Sequence, residues 1–296
     1  MTPRRLVIGF WVTLLVLMAL FSRTLSDVLA FAIQSDLESH IPLIPFVSAY
    51  LIFLKRNELP KLSRMAILPA VVIAVAGLGL LGLHAMLAHR GAFEGTADRL
   101  FLPVVAFVTL VIGAYVLFFS TEGFRCSAFP LLFLFVMVPI PEPVAHWMRI
   151  SLQQWSAEAA HGMFLLTGTP FFRDGQIFHL SGLTIEVAEE CSGIHSSLVL
   201  FITSLVAGHL FLRKTWTKAA LVAVVIPLGV IRNGFRVVTI SLLTIHVDPG
   251  VINSPFHHRG GPIFFALSLV VFFGLLGLFR WVEGKRNARA AKKGVR

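Results

Sequence analysis

Apolar residues gather into eight runs along the chain: 6–22, 41–54, 65–84, 100–119, 129–141, 192–212, 219–245 and 262–282. A helix needs about 20 mostly apolar residues to cross a ~30 Å hydrocarbon core, so each run is expected to be a membrane span. Two are short. Run 41–54 can begin nearer Val28 or dip and return, and run 129–141 ends in Pro139-Ile140-Pro141. Run 6–22 could pass for a secretory leader, but no A-x-A-like site follows and further runs do. A retained helix is expected there.

The one long hydrophilic stretch is 142–191. Its first half, 144–167, carries Val144, Trp147, Met148, Leu152, Trp155, Phe164 and Leu165 at helical spacing. That pattern predicts an amphipathic helix with two tryptophans at headgroup level. The second half predicts two short strands, 176–180 and 183–187, joined by Ser181-Gly182. The expected fold is therefore an all-α polytopic membrane protein of about eight transmembrane helices, with a small outer-face β-hairpin and amphipathic helix. It divides into a single integral-membrane domain, 1–282, and a basic tail, 283–296.

Composition strengthens this reading. Apolar residues make up 56% of the chain and charged residues 14%, against about 25% charged in soluble domains. A cytosolic enzyme, a secreted disulfide scaffold and a disordered tail are excluded. The net charge of +10 would suggest nucleic acid in a soluble protein, but here the basic residues lie in short loops and the tail. With the N-terminus in the cytoplasm, inner segments hold Arg4, Arg5, Lys55, Arg56, Lys61, Arg64, Arg125, Arg213, Lys214, Lys218 and the seven cations from Arg280 to Arg296. Outer loops hold six: Arg23, Arg90, Arg99, Arg149, Arg173 and Arg259. The asymmetry fits eight spans with both termini inside; no nucleic-acid partner is expected.

Three places carry chemistry. Arg232 and Arg236 sit within a span, four apart on one helical face, with Asn233 between them. Ionisable residues there are functional candidates by default, although both could snorkel or pair with a carboxylate such as Glu189. Cys191 stands in Glu189-Glu190-Cys191-Ser192-Gly193-Ile194-His195, at the expected outer N-terminus of the sixth span. The helix dipole there favours a thiolate, and the two glutamates oppose it. Cys126 reads as a small buried apolar residue. His257 and His258 lie in the last outer loop, and His195, one turn after Cys191, is a rival base. Adjacent histidines rarely chelate one metal together, so neither a metal nor a cofactor is expected.

The expected topology brings all three places to one outer face. A thiol, an imidazole base and a guanidinium suffice for acyl transfer. HExxH, G-x-S-x-G and P-loop motifs are missing.

These residues resemble the exosortase/archaeosortase family of membrane transpeptidases. Glu190-Cys191-Ser192-Gly193-Ile194 is similar to its cysteine motif and Asn233-Gly234-Phe235-Arg236 to its N-x-x-R motif. His257, four before Gly261, is similar to its histidine-glycine motif, with Pro262 where the family usually has Trp. Ser39-His40-Ile41-Pro42-Leu43-Ile44-Pro45 resembles its N-terminal signature, as does Phe129-Pro130 through Pro139-Ile140-Pro141 in the middle. The resemblance implies Cys191 as nucleophile, Arg236 as its charged partner and His257 as acid/base, with Arg232, Asn233, His258 and His195 as supporting candidates. It implies cleavage of C-terminal sorting signals (a short motif, a hydrophobic helix and a basic tail) at the outer face of the cytoplasmic membrane, through a thioester. The partners would be that signal helix and the lipid bilayer. Two other readings stay open on the residues alone. One is a polytopic acyltransferase using His257 or His258. The other is a small anion transporter using Arg232 and Arg236.

Overall fold

The computed structural model describes residues 3–60, 65–187, 193–250 and 261–293, with side chains as far as residue 285. The described chain is helical apart from one small sheet, and it divides into two compact units, residues 1–145 and 146–296.

The first unit begins with α1 (Pro3–Leu20) and α2 (Ser22–Gln34), which meet at a sharp bend of 70°. A one-turn 3-10 helix, Ile41–Leu43, leads into α3 (Ile44–Leu54). There follow α4 (Ile67–His89), α5 (Thr96–Cys126) and α6 (Ala128–Phe133). Helix α5 is the pillar: α1, α2 and α4 all pack on it. Glycines permit the close approaches. A Cβ at Gly9 would fall 2.6 Å from the Phe118 ring, and one at Gly77 would fall 2.9 Å from Leu110. Such small-residue contacts are how helices pack where lipid is as apolar as leucine.

The second unit begins within α7 (Glu142–Thr167) and continues through β1 (Phe171–Asp174), β2 (Ile177–Leu180) and β3 (Leu183–Glu186). It ends with α8 (Ile194–Phe211), α9 (Thr215–His246) and α10 (Gly261–Lys293). The sheet is an antiparallel meander, with Phe172 opposite His179 and Phe178 opposite Ile185. Its turns place Gly175 and Gly182 at φ of 58° and 78°, conformations that glycine adopts without steric cost. Ala157, Ala160 and Phe164 of α7 pack with Phe178 and Leu180 of the sheet, Val187, and Val237 and Val238 of α9. A second apolar cluster joins α8, α9 and α10 through Leu200, Leu221 and Phe272.

The start of α9 is capped from a distance. Buried Glu283 of α10 accepts the backbone N–H of Arg213 (3.0 Å) and Lys214 (2.9 Å) and the Thr217 hydroxyl. A carboxylate at a helix N-terminus meets both the unpaired N–H groups and the dipole. Residue 283, the expected start of the tail, thus lies inside a continuous helix.

Three sequence expectations change. Among the described residues five helices are long and apolar enough to cross a membrane, or seven if each of two bent helix pairs counts as one span. The count of eight is not reached because run 41–54 forms a helix of 11 residues, about 16 Å long and short of a ~30 Å core. Run 129–141 forms only α6 and a 3-10 turn, Leu134–Met137, before α7. The hairpin is a three-stranded sheet, because β1 precedes the two predicted strands. Gly175-Gln176, a two-residue loop with glycine at its first position, is the signal that marks it. Cys126 is free and half-buried rather than enclosed.

Candidate functional site

Helix α9 presents an inverted surface at its middle. Ile231 and Phe235 are exposed, while Arg232, Asn233 and Gly234 are buried. Arg232 lies about 25 Å along the helix from Thr215, and Arg236 about 31 Å, at 1.5 Å per residue. Two close contacts turn this face inward. A Cβ at Gly234 would fall 2.8 Å from the Ala159 Cβ and 3.0 Å from the Ala160 amide of α7. A Cβ at Gly229 would fall 2.6 Å from the Ser197 hydroxyl of α8. Only glycines let α9 approach both neighbours this closely.

Gly193 is the residue immediately before α8, and it has φ of 70°. A side chain is strained in that conformation, and here a Cβ would also fall 2.5 Å from Arg232 Nη2. The Gly193 carbonyl starts the helix by accepting Ser197 N–H at 2.9 Å. It also receives Arg232 Nη2 at 3.4 Å and the Ser196 hydroxyl at 3.5 Å. The other guanidinium nitrogen, Arg232 Nη1, is buried and has no hydrogen-bond partner among the described residues. Neither does the Ser197 hydroxyl oxygen.

The sheet fixes the chain upstream. Val187, one residue after β3, is fully buried. Its carbonyl accepts the Gln153 side-chain N–H of α7 at 2.6 Å, and its N–H donates to Gln176 O at 3.1 Å. The chain is therefore held at Val187 by α7 and the sheet, and at Gly193 by α9. Cys191 falls between these anchors, two residues before Gly193 in sequence.

Of the residues singled out from sequence, Arg232 and Asn233 are brought to the α8–α9 contact and buried there. Arg236 is half-buried and makes interactions of its own. His195, in the first turn of α8, is exposed. Cys191, Glu189, Glu190, His257 and His258 lie outside the described residues. Sequence reasoning missed Ser197 and the role of Gly193. A serine inside an apolar span gives little signal beyond its spacing, four residues after Gly193.

A family model described as Transmembrane exosortase (Exosortase_EpsH) matches residues 32–274. That interval covers well over half of the 296 residues and contains every motif quoted above. The chain belongs to the transmembrane exosortase family. No curated protein and no solved structure matches this exosortase chain. Its apolar helices and its family together make it a membrane protein. Family membership also implies an enzyme of the transpeptidase or protease kind that acts on sorting signals in the membrane.

Proposed function

We propose that this exosortase is a cysteine-dependent transpeptidase or protease that cuts C-terminal sorting signals of exported proteins at the outer face of the cytoplasmic membrane. Cys191 attacks the scissile carbonyl and forms a thioester. Arg236 is its charged partner, and His257 moves the proton to the leaving amine. Arg232, Asn233, His258 and His195 support the site. The thioester then passes to an amine or to water. The membrane-embedded part, 1–282, receives the signal helix from the bilayer; the basic tail, 283–296, and the N-terminus face the cytoplasm.

The observation that carries this reading is the meeting of Arg232 and Asn233 of α9 with Gly193 at the head of α8. Cys191 is two residues from Gly193, and a two-residue tether reaches about 7 Å. Arg232 and Asn233 are some 40 residues of sequence from Gly193, yet the α8–α9 contact brings them against it. A thiol beside fixed cations is more acidic and more nucleophilic than one in an apolar core.

An in-cell processing assay tests it. A co-encoded protein with a C-terminal hydrophobic helix and basic tail is followed by size with wild type, Cys191→Ala and Cys191→Ser. Loss of the cleaved product in both variants is expected. Full cleavage with Cys191→Ala would sink the cysteine mechanism and move the search to the histidines.

A further inference from the structure

We propose that Arg232 binds the oxyanion that forms when the scissile carbonyl is attacked, an inference that rests on the cysteine mechanism above. Three observations carry it. First, Arg232 is a permanent cation that is only 8% exposed. No carboxylate among the described residues pairs with it, and Arg236, one turn on, has the same charge. Burying a cation is unfavourable unless charge and hydrogen bonds compensate it. A methionine would fill the same space more cheaply.

Second, its one described hydrogen bond is marginal. The Gly193 carbonyl already accepts Ser197 N–H at 2.9 Å, while Arg232 Nη2 reaches it only at 3.4 Å. Nη1 donates to nothing described. The hydroxyl of Ser197, which packs against Gly229 one turn before Arg232, is likewise unmet. Donor capacity therefore collects at one contact, and among the described residues only the Gly193 carbonyl accepts any of it.

Third, the place is right. The oxyanion forms one bond away from the carbon that the sulfur attacks. Its donors must therefore lie beside the backbone that carries the nucleophile, 2.7–3.1 Å from the oxygen. Arg232 touches the backbone two residues beyond Cys191. A group that only recognises a distant part of the substrate has no need to be there. Arg236 is half-exposed and otherwise engaged.

The step balances without any other reactant. The Cys191 thiolate forms a C–S bond, and the carbonyl π pair moves onto oxygen, where Arg232 N–H donates to it. On collapse the C=O bond reforms and the C–N bond breaks. The departing amine takes a proton from the acid, assigned above to His257.

The test uses the full chain, purified in lipid nanodiscs in a Cys126→Ala background, with a titrated peptide bearing the sorting signal. Arg232→Gln is expected to lower kcat about 10²–10³-fold. KM should stay within about twofold, and the alkylation rate of Cys191 should not change. Arg232→Lys should recover part of the loss, because it keeps the charge and loses the fork. A rise in KM with kcat retained would overturn the proposal in favour of a substrate carboxylate. Wild-type turnover would overturn it outright. Loss of Cys191 alkylation and of thermal stability along with turnover would reduce Arg232 to a structural role. Normal cleavage by Cys191→Ala would instead remove the nucleophile on which the proposal stands, whatever Arg232 does.

Discussion

Helices α4 and α9 are both long and apolar enough to cross a bilayer, but they use their side chains in opposite ways. On α4, Leu68, Val72, Val75 and Leu78 are all more than half exposed, and the buried residues are only Ala70 and Gly77. On α9, Arg232, Asn233, Ser241 and Thr244 are buried while Ile231 and Phe235 face outward. In water the second pattern would be inside out. In a bilayer, apolar surface costs nothing when turned to lipid, and polar groups must be turned to protein. Helix α9 meets that demand locally where it can: Ser241 donates to Val237 O at 2.7 Å and Thr244 to Ile240 O at 2.8 Å. Arg232 cannot be satisfied so cheaply, and it is the residue the rest of the contact is arranged around.

The glycines sharpen the contrast. Gly79 and Gly82 of α4 have nothing within 4 Å of a would-be Cβ, whereas Gly234 of α9 lies against Ala159 and the Ala160 backbone. Gly234→Val should therefore be more damaging than any change at Gly193 or Gly79. Overpacking costs typically 1–3 kcal/mol, and backbone cannot move aside as a side-chain tip can. A loss of about 3 kcal/mol, with processing abolished, is expected in a thermal unfolding assay of the solubilised protein. Wild-type stability would mean that α7 and α9 do not touch at Gly234.

Gly193→Ala comes next. The positive φ costs about 1–2 kcal/mol for a side chain, and the methyl group would push Arg232 Nη2 aside. Turnover should fall more steeply than stability. Equal losses in both would show that Gly193 serves the fold alone.

Glu38 extends the comparison to a buried group that can shed its charge. It is 1% exposed, and its Oε1 accepts Ile140 N–H at 2.9 Å while Oε2 has no described partner. Burial raises its pKa above the ordinary 4.5, against the opposing pull of the Ile140 bond. The folded state thus favours the neutral acid. That contribution is complete below the ordinary value and is lost as pH rises through the raised folded value. Glu38→Gln keeps the acceptor and carries no charge, so it should flatten the pH dependence and match or exceed wild type at pH 8. Glu38→Leu leaves the Ile140 N–H unpaired and should cost about 1–3 kcal/mol. Unfolding curves at pH 5 and pH 8 separate these outcomes. A Glu38→Gln protein that loses more stability than wild type as pH rises would reverse the sign of this linkage.

Hydropathy made the membrane class and the long helices α4, α5, α8, α9 and α10 legible, because each buries or exposes a continuous apolar run. It overcounted spans at 41–54, since the eleven helical residues Ile44–Leu54 look apolar without being long enough. It missed β1, whose sequence Phe171-Phe172-Arg173-Asp174 does not alternate apolar and polar residues as Leu183-Thr184-Ile185-Glu186 of β3 does. The polar site was half legible. Charge inside a span singled out Arg232 and Arg236 at once, and their spacing gave one face. What sequence alone could not rank was which arginine is buried, because that depends on where α7 and α8 press on α9. Gly229 and Gly234, spaced so that α9 meets two neighbours, hold that information, but a glycine in a sequence does not say what it touches.

Gly79→Ala on α4 is the smallest effect and the strictest check on the comparison. In a soluble helix, replacing glycine by alanine gains up to about 1 kcal/mol from propensity alone. Here the methyl meets no protein atom within 4 Å, so packing contributes nothing in either direction. In a bilayer the gain should shrink further, because an unassembled segment stays helical in lipid to satisfy its backbone. The expected change is therefore a few tenths of a kcal/mol at most, with processing at the wild-type rate. A loss above about 1 kcal/mol, the scale of a disturbed packing contact, would mean that this face of α4 is covered by protein. The candidate for that cover would be a second copy of the chain or the bound signal helix. Comparing the variant with and without substrate would separate them, since only the signal helix comes and goes with substrate.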